Sequence, residues 1–149
     1  MVVGAHPYFR AAFADEDSYS EFRREFSVWQ RDGEDSSYIF GRDTAYRAPK
    51  VNGQMLLRHV HLAPLEDPEA LKIWDKAWEN RRERKSDKAL VYICRGEGKQ
   101  RKCLFIALLP QGHAHEIANM TPPDDCAVME GFARIAEHFI DTGKILVEP

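Results

Sequence analysis

The chain has 149 residues, 44% hydrophobic and 30% charged, with a formal net charge of −3. That length suits one domain, residues 1–149, burying about two-thirds of its unfolded surface. No apolar run approaches the roughly 18 residues of a membrane span, and Arg10, Asp15, Glu16 and Asp17 interrupt any secretory leader. Taking the elements in order, Ser18-Tyr19-Ser20-Glu21 has the form of a capping box. The helix it opens carries Tyr19, Phe22, Phe26 and Trp29 at helical spacing, with Gly33 as its stop. A polar stretch from Asp32 to Ser37 then leads into Phe40-Gly41-Arg42-Asp43, where the glycine marks a tight turn.

Residues 54–63 alternate. Leu56, Arg58, Val60 and Leu62 share one strand face; Leu57, His59, His61 and Ala63 share the other. Asp67-Pro68 supplies a capping acid and a first-position proline for a helix with the stripe Leu71, Trp74 and Trp78. Arg81, Arg82, Arg84 and Lys85 crowd its C-terminal end, where cations suit the helix dipole. Ala89 to Cys94 reads as a strand, joined through the glycine-bearing basic loop Arg95–Lys102 to the apolar run Cys103–Leu109. The pair reads as a hairpin whose second strand is covered on both faces. A short helix is expected around Glu116-Ile117-Ala118. Thr121-Pro122-Pro123 opens a last helix with Val128, Met129, Phe132, Ile135, Ala136, Phe139 and Ile140 at threes and fours, ended by Gly143. The fold class is α+β, a small and mostly antiparallel sheet flanked by helices.

The charge is unevenly spread. Residues 1–46 hold 9 acids and 5 bases and residues 103–149 hold 7 acids and 2 bases, whereas residues 72–102 hold 11 bases and 5 acids. Such asymmetry gives a basic face for phosphates on an acidic chain; a solvated helix face plus a charged hairpin loop accounts for it equally well. The three cysteines, Cys94, Cys103 and Cys126, are odd in number and lack zinc-ligand spacing, so buried thiols in a reducing cytoplasm are expected.

Arginine, tyrosine and histidine are the side chains that acid–base chemistry on a phosphodiester recruits. Cleavage of RNA through its 2′-hydroxyl needs a base, an acid for the leaving 5′-oxygen, and positive charge at the phosphorane. His59 and His61, about 7 Å apart along one strand face, are spaced to flank a phosphate. Histidines two apart also arise as metal ligands or as plain surface residues. His113 and His115 follow the end of an interior strand, where functional and idle histidines both occur. Arg42 and Asp43 equally suit a local ion pair, and Tyr46 a packed ring.

Several blocks resemble, in order, the YafO toxins of type II toxin–antitoxin systems. They are Arg31-Asp32-Gly33; Ile39-Phe40-Gly41-Arg42-Asp43 with Tyr46; His59-Val60-His61-Leu62-Ala63; Leu90-Val91-Tyr92; Leu104 to Leu109; and Arg134-Ile135-Ala136-Glu137-His138-Phe139. The resemblance spans about residues 20–140, and the Phe-Gly-Arg-Asp and His-x-His-Leu-Ala blocks carry most of its specificity. It implies a RelE/microbial-RNase-like fold and a cytoplasmic endoribonuclease that cuts mRNA on translating ribosomes without metal or cofactor. It also implies a cognate antitoxin as partner. Active-site expectations fall on Arg42, Asp43, Tyr46, His59 and His61. They fall more weakly on His115, because Pro-Gln-Gly-His-Ala-His departs from the family in length and order. Arg81, Arg82, Arg84, Lys85, Lys99, Arg101 and Lys102 are the expected RNA or ribosome contacts, since phosphate contacts position rather than specify. Two other readings stand beside this one. The first is a metal-dependent hydrolase built on His59, His61, His115 and Glu97; the second is a non-enzymatic module that binds ribosomes or a protein.

Overall fold

A computed structural model describes residues 1–149. Five strands form one sheet in the order β1 (Val2–Ala5), β5 (Lys102–Leu109), β4 (Ala89–Arg95), β3 (Arg58–Leu62) and β2 (Phe40–Ala45). Every neighbouring pair is antiparallel except β1 with β5. The expected α+β architecture with a mostly antiparallel sheet is what forms, and β4 and β5 are the hairpin read from the sequence.

Alternation along the strands divides the core between the two sheet faces. One face packs Phe9, Tyr19, Phe26, Trp29, Phe40, Val60, Leu90, Tyr92 and Phe105 under α1 (Pro7–Ala11) and α2 (Glu16–Asp32). This side is dominated by aromatic edges and stacks, such as Trp29 on Phe40 at 5.2 Å. The opposite face packs Tyr46, Leu57, Val91, Ile93, Leu104 and Ile106 against α4 (Ala114–Ala118) and α5 (Asp124–Thr142), with Met129, Ile135, Ala136 and Phe139 facing in.

Local signals set most boundaries. Asp67 caps α3 (Pro68–Glu79) by accepting the Ala70 N–H at 3.2 Å, with Pro68 opening the first turn. Gly33 ends α2 at φ 92°, and Gly143 ends α5 at φ 74°. The start of α2 differs from expectation. Its cap is Asp15, whose carboxylate accepts the Ser18 N–H at 2.7 Å, so Ser18 is the capped residue and not the cap. Strand β1 and helix α1 carry no legible local pattern; β1 is held by its parallel partner β5.

Two expectations about side chains are corrected. Cys94 and Cys103 are direct partners across β4 and β5 and form a disulfide, in place of two buried thiols; Cys126 is the free cysteine. Arg84 is only 3% exposed. Its guanidinium donates to the carbonyls of Glu34, Ser37 and Phe40 and lies over the rings of Trp78 and Trp74. It therefore ties the α2–β2 connection to α3 and offers no charge to a phosphate.

Candidate active site

The site begins with an irregularity in β2. Phe40 pairs with Leu62 and Asp43 with Val60, so Gly41 and Arg42 together oppose the single residue His61. A bulge of this kind re-aims side chains locally. Its geometry depends on Gly41, where a Cβ would collide with the Arg84 carbonyl oxygen and come within 2.6 Å of Trp74. The Arg42 N–H is satisfied by that same Arg84 carbonyl at 2.8 Å. Arg42 is left exposed, its guanidinium loosely balanced by Glu83 at 3.9 Å.

On β3, the alternation read from the sequence holds. Val60 and Leu62 enter the aromatic core, while His59 and His61 lie across from Val91 and Ala89 on the α4–α5 face. Three imidazoles form a row there. His59 and His61 have ring centroids 5.7 Å apart, and His61 and His115 5.8 Å apart. Tyr46 stacks on His59 at 4.1 Å, nearly parallel. Burial first, then the neighbouring His61, His115, Arg42 and Arg58, pulls the His59 pKa down to about 4. His61 is pulled down to about 4 by burial, then by His115, Arg42 and Lys85. Both rings are thus neutral at pH 7, with the Arg42 charge felt by each.

Hydrogen bonding defines the rings further. The Ser86 N–H donates to His61 Nδ1 at 2.9 Å, so neutral His61 carries its proton on Nε2. His59 Nδ1 is buried without a protein partner. His115 is exposed, and its Nδ1 lies 3.0 Å from Asp87 Oδ1; its backbone N–H donates to the same oxygen at 2.7 Å. The Asp87 carbonyl in turn accepts from Gly112 at 2.9 Å and Ala114 at 3.3 Å, docking the start of α4 onto the entry to β4. Ser86 and Asp87 were not expected at the site. They meet their histidines only through tertiary contacts spanning 25 and 28 residues.

Arg42, His59, His61 and His115 are therefore brought together as expected, and Tyr46 joins them as a ring. Burial pushes the Tyr46 hydroxyl pKa well up, and its ring stacks on His59. Asp43 is not part of the group. It shares the face of Val60, where it pairs with Arg58 at 2.9 Å and accepts from the Tyr92 hydroxyl at 2.7 Å. The three histidines stand in a row, and no group of three or more His, Cys, Asp or Glu side chains converges as a ligand set. Glu97 belongs to the loop at the far end of β4, beyond Arg95, whereas the histidines pair with its opposite half.

Of the expected basic contacts, Arg81, Arg82 and Lys85 are exposed just after α3, and Lys85 shares Glu83 with Arg42. Lys99 is exposed on the β4–β5 loop and Lys102 at the start of β5, and Arg101 is partly engaged by Gln30 at 3.2 Å. An apolar cavity of about 420 Å³, lined by Phe9, Ile106, Val128, Phe132 and Ile135 among others, shares no residue with the histidine group. No helix is long and apolar enough to cross a membrane.

Comparison with curated proteins and with solved structures gave no match. The family described as "Toxin YafO, type II toxin-antitoxin system" matches residues 27–141, a span that contains the bulge, both β3 histidines, the Ser86-Asp87 pair and His115. The chain belongs to the YafO toxin family of type II toxin–antitoxin systems.

Proposed function

We propose that this toxin is an endoribonuclease that cleaves mRNA on translating ribosomes through attack of the 2′-hydroxyl, without a metal. The observation that carries this reading is the convergence of one exposed arginine and three imidazoles on a single face at the β2–β3 end of the sheet. Arg42 has the fixed charge and exposure to meet a phosphorane. A neutral His61 with Nε2–H is a donor to a non-bridging phosphate oxygen. In the reaction the 2′-oxygen bonds to phosphorus as its proton leaves to a base, and the bond to the 5′-oxygen breaks. That oxygen takes up a proton, giving a 2′,3′-cyclic phosphate and a 5′-hydroxyl with no net change in protons.

Lys85 borders this face through Glu83, which it shares with Arg42, and Arg81, Arg82, Lys99 and Lys102 are exposed elsewhere. Together they suit contacts to ribosomal RNA phosphates, which would supply affinity that a chain of net charge −3 lacks. A type II toxin implies a cognate antitoxin that restrains it, and its site of action is then the cytoplasm. Expression of His61→Ala or Arg42→Ala tests the reading. Each should abolish growth arrest while the purified variant keeps the circular dichroism of the parent, and full toxicity from both would discard it.

A further inference from the structure

Two adjacent residues, Ser86 and Asp87, each hold one histidine of the row, and they do so in opposite senses. A backbone N–H can only donate, so Ser86 makes His61 Nδ1 an acceptor and leaves its proton on Nε2. Asp87 Oδ1 accepts the His115 backbone N–H at 2.7 Å and lies 3.0 Å from His115 Nδ1; a carboxylate can only accept, so its charge beside Nδ1 suits a proton there and leaves the Nε2 lone pair free. From this juxtaposition we infer that Ser86-Asp87 divides the labour between the two rings: His115 is the base that takes the 2′-hydroxyl proton, Asp87 is its positioning residue, and His61 is a hydrogen-bond donor only, the leaving 5′-oxygen taking its proton from solvent, to which the His115 imidazolium returns its own. The inference rests on the nuclease reading above and deepens it.

The geometry supports each part. A base must present a lone pair toward the substrate and gain stability as it becomes charged. His115 is exposed, and the imidazolium it would form lies against the Asp87 carboxylate at 3.0 Å. Asp87 is itself fixed by the His115 backbone N–H, and its carbonyl is held by Gly112 and Ala114. An orienting carboxylate behind a base is a recurring arrangement in enzymes of unrelated fold. His61 is 5% exposed, is depressed toward a neutral ring, and has its only inward lone pair occupied by Ser86. It cannot accept a second proton without breaking that bond. The other titratable groups around His115 are His61 and His59 from the sheet, which themselves feel Arg42 and, for His61, Lys85, and His113 with Glu116 on its own turn, 3.7 Å apart.

The test is Asp87→Asn in the full chain, which keeps an oxygen for the His115 N–H and so preserves the docking of α4. Imidazole nitrogen NMR of the wild type should report Nε2–H on His61 and Nδ1–H on His115. In ribosome-dependent cleavage, Asp87→Asn should lower the rate at least about tenfold, part of the 10²–10⁴-fold that a placed acid–base group contributes. The same NMR measurement on Asp87→Asn should show the Nδ1–H preference of His115 reduced, a change that a merely structural role would not produce. His115→Ala should lose at least as much activity as Asp87→Asn. A fully active Asp87→Asn variant, or a wild-type His115 protonated on Nε2, overturns the assignment. A wild-type chain that cuts nothing on ribosomes removes the nuclease reading and this assignment with it, an outcome separate from either of those.

Discussion

Asp43 and Arg42 are neighbours in sequence and, as consecutive strand residues, face opposite sides of the sheet. Their roles separate accordingly, and so do the consequences of losing them. Asp43→Asn leaves the Arg58 guanidinium and the Tyr92 hydroxyl with a neutral partner in a half-buried site. A loss of about 1–3 kcal/mol in urea unfolding is expected, with cleavage scaling only with the folded fraction. The two depressed histidines predict a pH dependence of stability. Each has a folded pKa of about 4 against an unfolded value of about 6.5. Between those values the unfolded chain binds more protons, so stability is complete above about pH 6.5 and falls as pH drops toward 4. Urea midpoints at pH 7 and pH 5 should show the decline, and replacing His59 and His61 with asparagine should flatten it.

The elements were legible where a local pattern decides them. The aromatic stripe of α2, the Asp-Pro start of α3, the stops at Gly33 and Gly143, and the β4–β5 hairpin all follow from residues within a turn or two of one another. The two-residue alternation put His59 and His61 on one face, and that face is the site. What stayed hidden is non-local. The β2 bulge is set by the Arg84 carbonyl and Trp74 pressing on Gly41, more than 30 residues away, and no pattern around Phe-Gly-Arg-Asp announces it. Strand β1 exists only through its pairing with β5. Arg84 sits in a run of cations that reads as a solvated patch, yet the carbonyls it meets draw it inward. The bulge gives an element-scale prediction. Gly41→Ala should destabilise the fold by about 1–3 kcal/mol through overpacking and misplace Arg42, so cleavage should fall further than stability accounts for. Equal activity per folded molecule would mean the bulge does not aim Arg42.

For the whole molecule, the sheet acts as a divider. Its α1–α2 side is filled with aromatic rings and carries the Asp43–Arg58–Tyr92 network; its α4–α5 side is mostly aliphatic and carries the histidine row. Family membership covers residues 27–141 and names a toxin, while the chemistry rests on what converges at that open end. The most direct measurement is primer-extension mapping of a translated mRNA incubated with purified toxin, with and without ribosomes, alongside His61→Ala and Arg42→Ala. New 5′ ends are predicted with the wild type only when ribosomes are present, with their loss by about 100-fold or more in both folded variants. Absence of cuts in either arm with folded protein, or undiminished cutting by both variants, would contradict the nuclease reading.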